Sequence, residues 1–233
     1  MHLVLISDTH TQHNNLSVPD GDVLVHAGDI TRAGSIDDLD DFNTWLGTLP
    51  HRHKLYIAGN HDWCFFYQRA ASVARVANAQ YLQDESISIA GVLFYGSPWQ
   101  PNFHGWAFNL PRGAPLRAKW QQIPPTTQVL ITHGPPHGIG DLTIHQDYAG
   151  CSDLREIVGL LQPRLHVFGH IHEGYGIYHG KTTVSINACS IGVDKNRGID
   201  RSSSTSRGQF LHTCAKIARL PCKKVTLTLL YAP

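Results

Sequence analysis

The chain is 233 residues long, carries a formal net charge of +1 and has a pI near 7.8. That length suits one domain with a sizeable core, and no linker-like stretch precedes residue 190. No long run of one charge sign marks a nucleic-acid polymer or an anionic membrane as the partner, so a small polar substrate is expected. Five cysteines, Cys64, Cys151, Cys189, Cys214 and Cys222, form no C-x-x-C pair and are odd in number. They fit free thiols in the cytoplasm better than a disulfide framework.

The opening MHLVLISDTH is apolar for too few residues to be a signal peptide or a membrane span and reads as a first strand. Short apolar runs bounded by turn residues follow: DVLVHAG, KLYIAG, VLFYGS, QVLITHG and LHVFGH. Their length and β-branched content predict strands buried on both faces. Residues 35–49 place Ile36, Leu39, Phe42, Trp45, Leu46 and Leu49 on one helical face, with Ser35 as the N-cap and aspartates in the first turn. CSDLREIVGLLQ, from residue 151, reads the same way with Ser152 or Asp153 capping. Hairpins are expected at 86–95 and 174–186. The alternation predicts an α/β fold with helices outside a central sheet. Residues 194–208 are polar and low in complexity, which predicts disorder or a loose loop. KKVTLTLLY, 223–231, alternates as a strand does, with no partner that the sequence names.

Open α/β sheets bind ligands in the crevice at the carboxyl ends of their strands. Those ends carry Asp8 and His10 in SDTH, Asp29 in HAGDI, Asn60 and His61 in AGNHD, His133 in THGPP, and His170 and His172 in GHIH. Taken singly, D-x-H, GD and GN are ordinary turn sequences. Together they are a convergent set of metal-ligand types on one rim. Carboxylate, amide and imidazole donors without a spaced thiolate suit Mn, Fe, Zn or Ni. Two ions about 3.5–4 Å apart need a bridging carboxylate, here Asp29, and can hold a hydroxide as the nucleophile of an in-line displacement. The glycines of GD, GN and GH are expected to let the backbone turn sharply off each strand.

The ordered blocks D-x-H, GD, GNH, TH and GHxH resemble the calcineurin-like metallophosphoesterase superfamily. YGSPWQPNFHGWAFNLPRG, THGPPHGIGD and LHVFGHIHEGYG are similar to its metallophosphoesterase-domain-containing group. The resemblance covers residues 1–190, the expected phosphoesterase domain, and leaves 191–233 as an atypical, partly disordered tail. It implies a four-layer α/β/β/α sandwich with mixed sheets. It also implies a dinuclear site with Asp8, His10 and His172 on one ion, Asn60, His133 and His170 on the other, and Asp29 between them. Manganese is the first expectation, with iron, zinc, nickel or cobalt as alternatives. His61 is implied not as a ligand but as the group that assists departure of the leaving oxygen, and phosphodiesters, including cyclic nucleotides such as 2′,3′-cAMP, are the implied substrates. Some relatives carry glycine at the position of His170, a change associated with a weakened site. After SINACS the family continues into a strand that closes the second sheet, whereas this chain continues DKNRGIDRSSSTSRGQF.

Asp62 is read as the N-terminal acid of a following helix, with orientation of His61 as the alternative. Trp99, Phe103, Trp106 and Phe108 are expected to form a core patch, with stacking on a base as the alternative. His13, His104 and His137 are left as loop histidines. A non-catalytic metal-binding scaffold on the same fold is the competing class, and the complete ligand set argues against it.

Overall fold

The computed structural model describes residues 1–191, 211–220 and 223–231. The first half runs β1 (His2–Ile6), β2 (Val23–His26), α1 (Asp38–Thr48), β3 (His53–Tyr56), α2 (Trp63–Tyr67), α3 (Arg69–Arg75) and β4 (Gln80–Tyr81). The second half runs β5 (Glu85–Ile89), β6 (Val92–Ser97), β7 (Gln100–Pro101), β8 (Asn109–Leu110), α4 (Ala114–Trp120), β9 (Val129–Thr132), α5 (Ser152–Leu161), β10 (Leu165–Phe168), β11 (Gly176–His179) and β12 (Val184–Asn187). The last described strands are β13 (Leu211–Leu220) and β14 (Lys223–Tyr231).

Two six-stranded sheets result, in the orders β13-β14-β1-β2-β3-β4 and β11-β12-β10-β9-β6-β5. Their interiors are parallel, and β13, β11 and β5 are antiparallel edges. The expected hairpins are β5–β6 and β11–β12. KKVTLTLLY pairs in parallel with the first strand, Leu5 opposite Leu229. The segment 194–208 lies outside the described residues.

Three apolar layers hold the sandwich together. Leu3, Leu5, Val25 and Ile57 meet Phe94, Ile131, Val167 and Ile186 between the sheets. Val4, Ile6, Leu24 and Tyr56, on the other face of the first sheet, pack on Leu39, Phe42 and Phe65 of the helices. Tyr95 and Leu130 of the second sheet pack on Leu116, Trp120, Leu154 and Val158. Strands buried on both sides therefore carry mostly apolar runs, as their sequences predict, with His26, His166 and Ser185 as buried polar exceptions. The layers are α/β/β/α.

Both N-cap expectations are corrected. Asp37 holds the N-cap position of α1 and its side chain makes no cap bond; Ser35 lies two residues upstream in the approach turn. Cys151 caps α5, its Sγ accepting from Leu154 N at 3.4 Å. It is pinned in extended conformation by backbone bonds with Pro135 and His137, so the helix starts at once. Asp153 instead takes Gly113 N and the Arg117 guanidinium, tying α5 to α4. Cys64, Cys151 and Cys189 are free and buried. Among the described residues no helix is long and apolar enough to cross a membrane.

Candidate metal centre

The strands of both sheets end at one edge, and the loops leaving them interlock. Asp8 N donates to Gly28 O, His10 N to Asp29 O and Thr11 N to Ile30 O, so the first two loops prolong the pairing of β1 with β2. Asp8, His10 and Asp29 adopt left-handed backbone conformations, with φ of 55°, 43° and 57°. Non-glycine residues are uncommon there, and such strain gathers at functional sites.

Two of the three glycines have a task other than the one expected of them. Gly28 does turn the chain, with φ of 100°. At Gly59 the issue is space, because a Cβ would lie 2.2 Å from Asp29 Oδ1. At Gly169 a Cβ would lie 2.0 Å from Asp8 Oδ2, and in GHIH the positive φ, 68°, belongs to His170 itself.

The side chains named from the sequence converge on Asp29, which is buried. Its Oδ1 faces His133 Nε2 at 3.4 Å, and Asn60 Oδ1 lies 2.9 Å from the same nitrogen. Its Oδ2 faces His10 Nε2 at 3.8 Å and His61 Nε2 at 3.9 Å. Asp29 thus belongs to two groups of donors, one with His10 and His61, the other with His133 and His170. A third group joins Asp8, His172 and Cys189; His172 Nε2 lies 3.5 Å from Asp8 Oδ1.

Three of the rings are held alike. His10 Nδ1 lies 3.2 Å from Thr31 O, His61 Nδ1 2.6 Å from Arg32 O, and His133 Nδ1 2.9 Å from Ala27 O. A carbonyl oxygen only accepts, so in each ring Nδ1 carries the hydrogen and Nε2 is turned toward Asp29. Ligating histidines in metal sites are oriented by such outer hydrogen bonds.

The electrostatics follow from this packing. Burial alone would raise Asp29, but the His133 charge beside it holds the carboxyl down at about 2. Burial alone would lower His133, and Asp29 carries it up to about 9. Burial likewise opposes ionisation of Asp8, and its contact with His172 overrides that and keeps the group well below the ordinary carboxylate range. His170, pushed down to about 4 by burial and then by the His133 charge, offers a neutral imidazole.

Asp62 begins a helix, as the first of its two sequence readings has it, but its carboxylate is used elsewhere. It occupies the N-cap position of α2 without a side-chain cap bond, and its carboxylate does not reach the His61 ring. Fully buried, it accepts from Gly59 N and Ile30 N on Oδ2, at 2.8 and 3.2 Å, and from Thr31 N and Thr31 Oγ1 on Oδ1, at 2.8 and 2.9 Å. It staples the loop carrying Asp29 to the loop carrying Asn60 and His61.

The aromatic segment divides. Phe108 is buried and Trp99 donates to Asp84, as a core patch requires. Trp106 lies on the His61 ring, centroids 4.2 Å apart, and Phe103, 51% exposed, stands edge-on to His170 at 6.1 Å. Of the remaining histidines, His13 is buried against Asp41 at 2.9 Å, His137 is 3.6 Å from Asp141, and His104 packs on Phe103.

A family model for calcineurin-like phosphoesterases matches residues 1–174, and the chain belongs to that family. Metallophosphoesterase domain-containing protein 1 of Homo sapiens is 43% identical over 210 residues, covering 79% of this chain and 64% of that protein. A UPF0046 protein of Caenorhabditis elegans is 40% identical over 200 residues, covering 80% of this chain and 68% of its own length. A solved crystal structure with 17% identity superposes with a TM-score of 0.63 over 80% of this chain and 90% of the other, which supports the same fold.

Proposed function

We propose that the chain hydrolyses phosphodiesters, cyclic nucleotides such as 2′,3′-cAMP among them, with two divalent ions held at the Asp29 edge. Asp8, His10 and His172 would hold one ion, Asn60, His133 and His170 the other, and Asp29 would lie between them. The observation that carries this reading is the division of the Asp29 carboxylate, one oxygen toward His133 and Asn60, the other toward His10. Nitrogen and oxygen donors of this kind admit manganese, which is proposed here on the family resemblance, and equally iron, zinc, nickel or cobalt. When bound, such a pair neutralises phosphate charge and makes a water nucleophilic near neutral pH.

The chain's own groups supply the rest. Asp29 is already ionised and needs no proton removed. His61 is 27% exposed against 16% for His10, so it stands at the open side of the cluster. With Nδ1–H fixed on Arg32 O, its Nε2, once it also carries a proton, is the position from which that proton would pass to a departing alkoxide. Phe103 and Trp106 offer apolar surface beside that position. The free buried thiols fit the proposed cytoplasmic setting.

The test is hydrolysis of bis-(p-nitrophenyl) phosphate beside p-nitrophenyl phosphate by metal-free protein to which Mn²⁺ is returned. Faster diester cleavage that needs the metal and is abolished by Asp29→Asn supports the reading. His61→Ala should keep its metal while losing about 10²–10⁴ in rate. Equal loss of metal and rate would make His61 a ligand, and bound metal without turnover would favour a non-catalytic module.

A further inference from the structure

Cys189 has no part in the ligand set proposed above, yet its thiol touches one of that set's carboxylates. It is fully buried, and Sγ lies 3.1 Å from Asp8 Oδ2. The surroundings of that carboxylate are unequal. His170 N donates to both oxygens, at 3.1 and 3.0 Å. Gly169 backs Oδ2, from which a Cβ at that glycine would lie 2.0 Å, with Ser7 Oγ at 2.1 Å. Oδ1 is the oxygen that faces His172 Nε2. Oδ2 is therefore turned into the protein and Oδ1 toward the imidazoles.

The main chain fixes the thiol in place. Cys189 N donates to Asn187 Oδ1 at 3.1 Å, Ser7 and Cys189 form a parallel bridge, and Ser190 N donates to Ser7 O at 2.8 Å. Cys189 thus prolongs β12 of the second sheet beside Ser7, the residue before Asp8 at the end of β1.

We infer that Cys189 is a positioning residue: its S–H donates to Asp8 Oδ2 and holds the carboxylate with Oδ1 alone presented to an ion. The inference rests on Asp8 being a metal ligand. A direct sulfur–metal bond is the rival arrangement, since Asp8, His172 and Cys189 donors lie within 4.8 Å of one another. Contact with the inward-turned oxygen, the one Gly169 backs, places the sulfur behind the carboxylate and favours positioning. Outer partners of metal ligands are worth about 10–100-fold in affinity.

Full-length metal-free wild type, Cys189→Ala, Cys189→Ser and Asp8→Asn are titrated with Co²⁺, recording binding isotherms and absorption spectra. Cys189→Ala should weaken one of two ions by about 10–100-fold, and Cys189→Ser, which keeps a donor, should restore most of it. No sulfur-to-cobalt charge-transfer band should appear in the wild type. Unchanged binding by the alanine variant, failure of the folded serine variant to recover, or a charge-transfer band lost on substitution would each overturn the positioning role. If Asp8→Asn keeps both ions at wild-type affinity, the error lies in the ligand assignment of Asp8.

Discussion

Replacing Asp62 by alanine should loosen at once the two loops that carry proposed ligands, and the size of the effect follows from its contacts. Its carboxylate accepts from three backbone N–H groups, Gly59, Ile30 and Thr31, and from the Thr31 hydroxyl, all buried. The hydroxyl has His61 O as a second acceptor at 3.2 Å, so removal of the carboxylate orphans the three amides. At the low end of about 1 kcal/mol for each buried unsatisfied donor, the cost is about 3 kcal/mol. That is a large share of a typical stability of about 5–15 kcal/mol. Asp62→Asn keeps one oxygen for Thr31 but turns an NH₂ group toward Gly59 and Ile30, for about 2 kcal/mol. Urea unfolding of the metal-free protein should rank wild type above Asn above Ala. Metal content after dialysis should fall in the same order, because Asp29 and Asn60 ride on the stapled loops. An alanine variant that unfolds at the wild-type midpoint and keeps its metal would refute the staple.

Gly169→Ala should fold but lose metal and about 10²-fold in rate, since its Cβ must displace Asp8 by about 1 Å; wild-type metal content would contradict this. Trp106→Ala removes the surface on which His61 rests and should lower kcat about 10-fold with metal content unchanged; an unaltered kcat would show that Arg32 O alone orients the ring. Burial holds His166 at about 3, against 6.5 for the free side chain, so the folded protein keeps it neutral while the unfolded chain takes a proton below pH 6.5. This contribution is complete above pH 6.5 and is lost as pH falls toward 3, so between pH 7 and 5.5 His166→Gln should lose about 1 kcal/mol less stability than wild type in urea titrations; equal losses would refute it.

The strand ends were legible because function and fold speak through the same local pattern: an apolar run, a turn, then a ligand-type side chain. That pattern marked Asp8, His10, Asp29, Asn60, His61, His133, His170 and His172, and the structure brings all eight to one edge. What depends on distant contacts was not legible. Helices α2, α3 and α4 span five to seven residues each, too short for a helical period to declare itself. The partner of KKVTLTLLY is the first strand, at the far end of the chain. Asp62 sits where a helix-start acid belongs, and only the approach of Ile30 and Thr31 reveals its other use. Trp106 and Phe108 are two residues apart, yet one leans on His61 and the other enters the core, a division set by the path of the loop.

The left-handed backbone of His170 decides what a glycine at that position would change. A side chain at φ of 68° carries a conformational cost of about 1–2 kcal/mol that glycine escapes. Exchanging His170 for glycine therefore removes a donor from the Asp29 edge while easing the main chain. At this position the ease of the main chain and the proposed ligand are at odds.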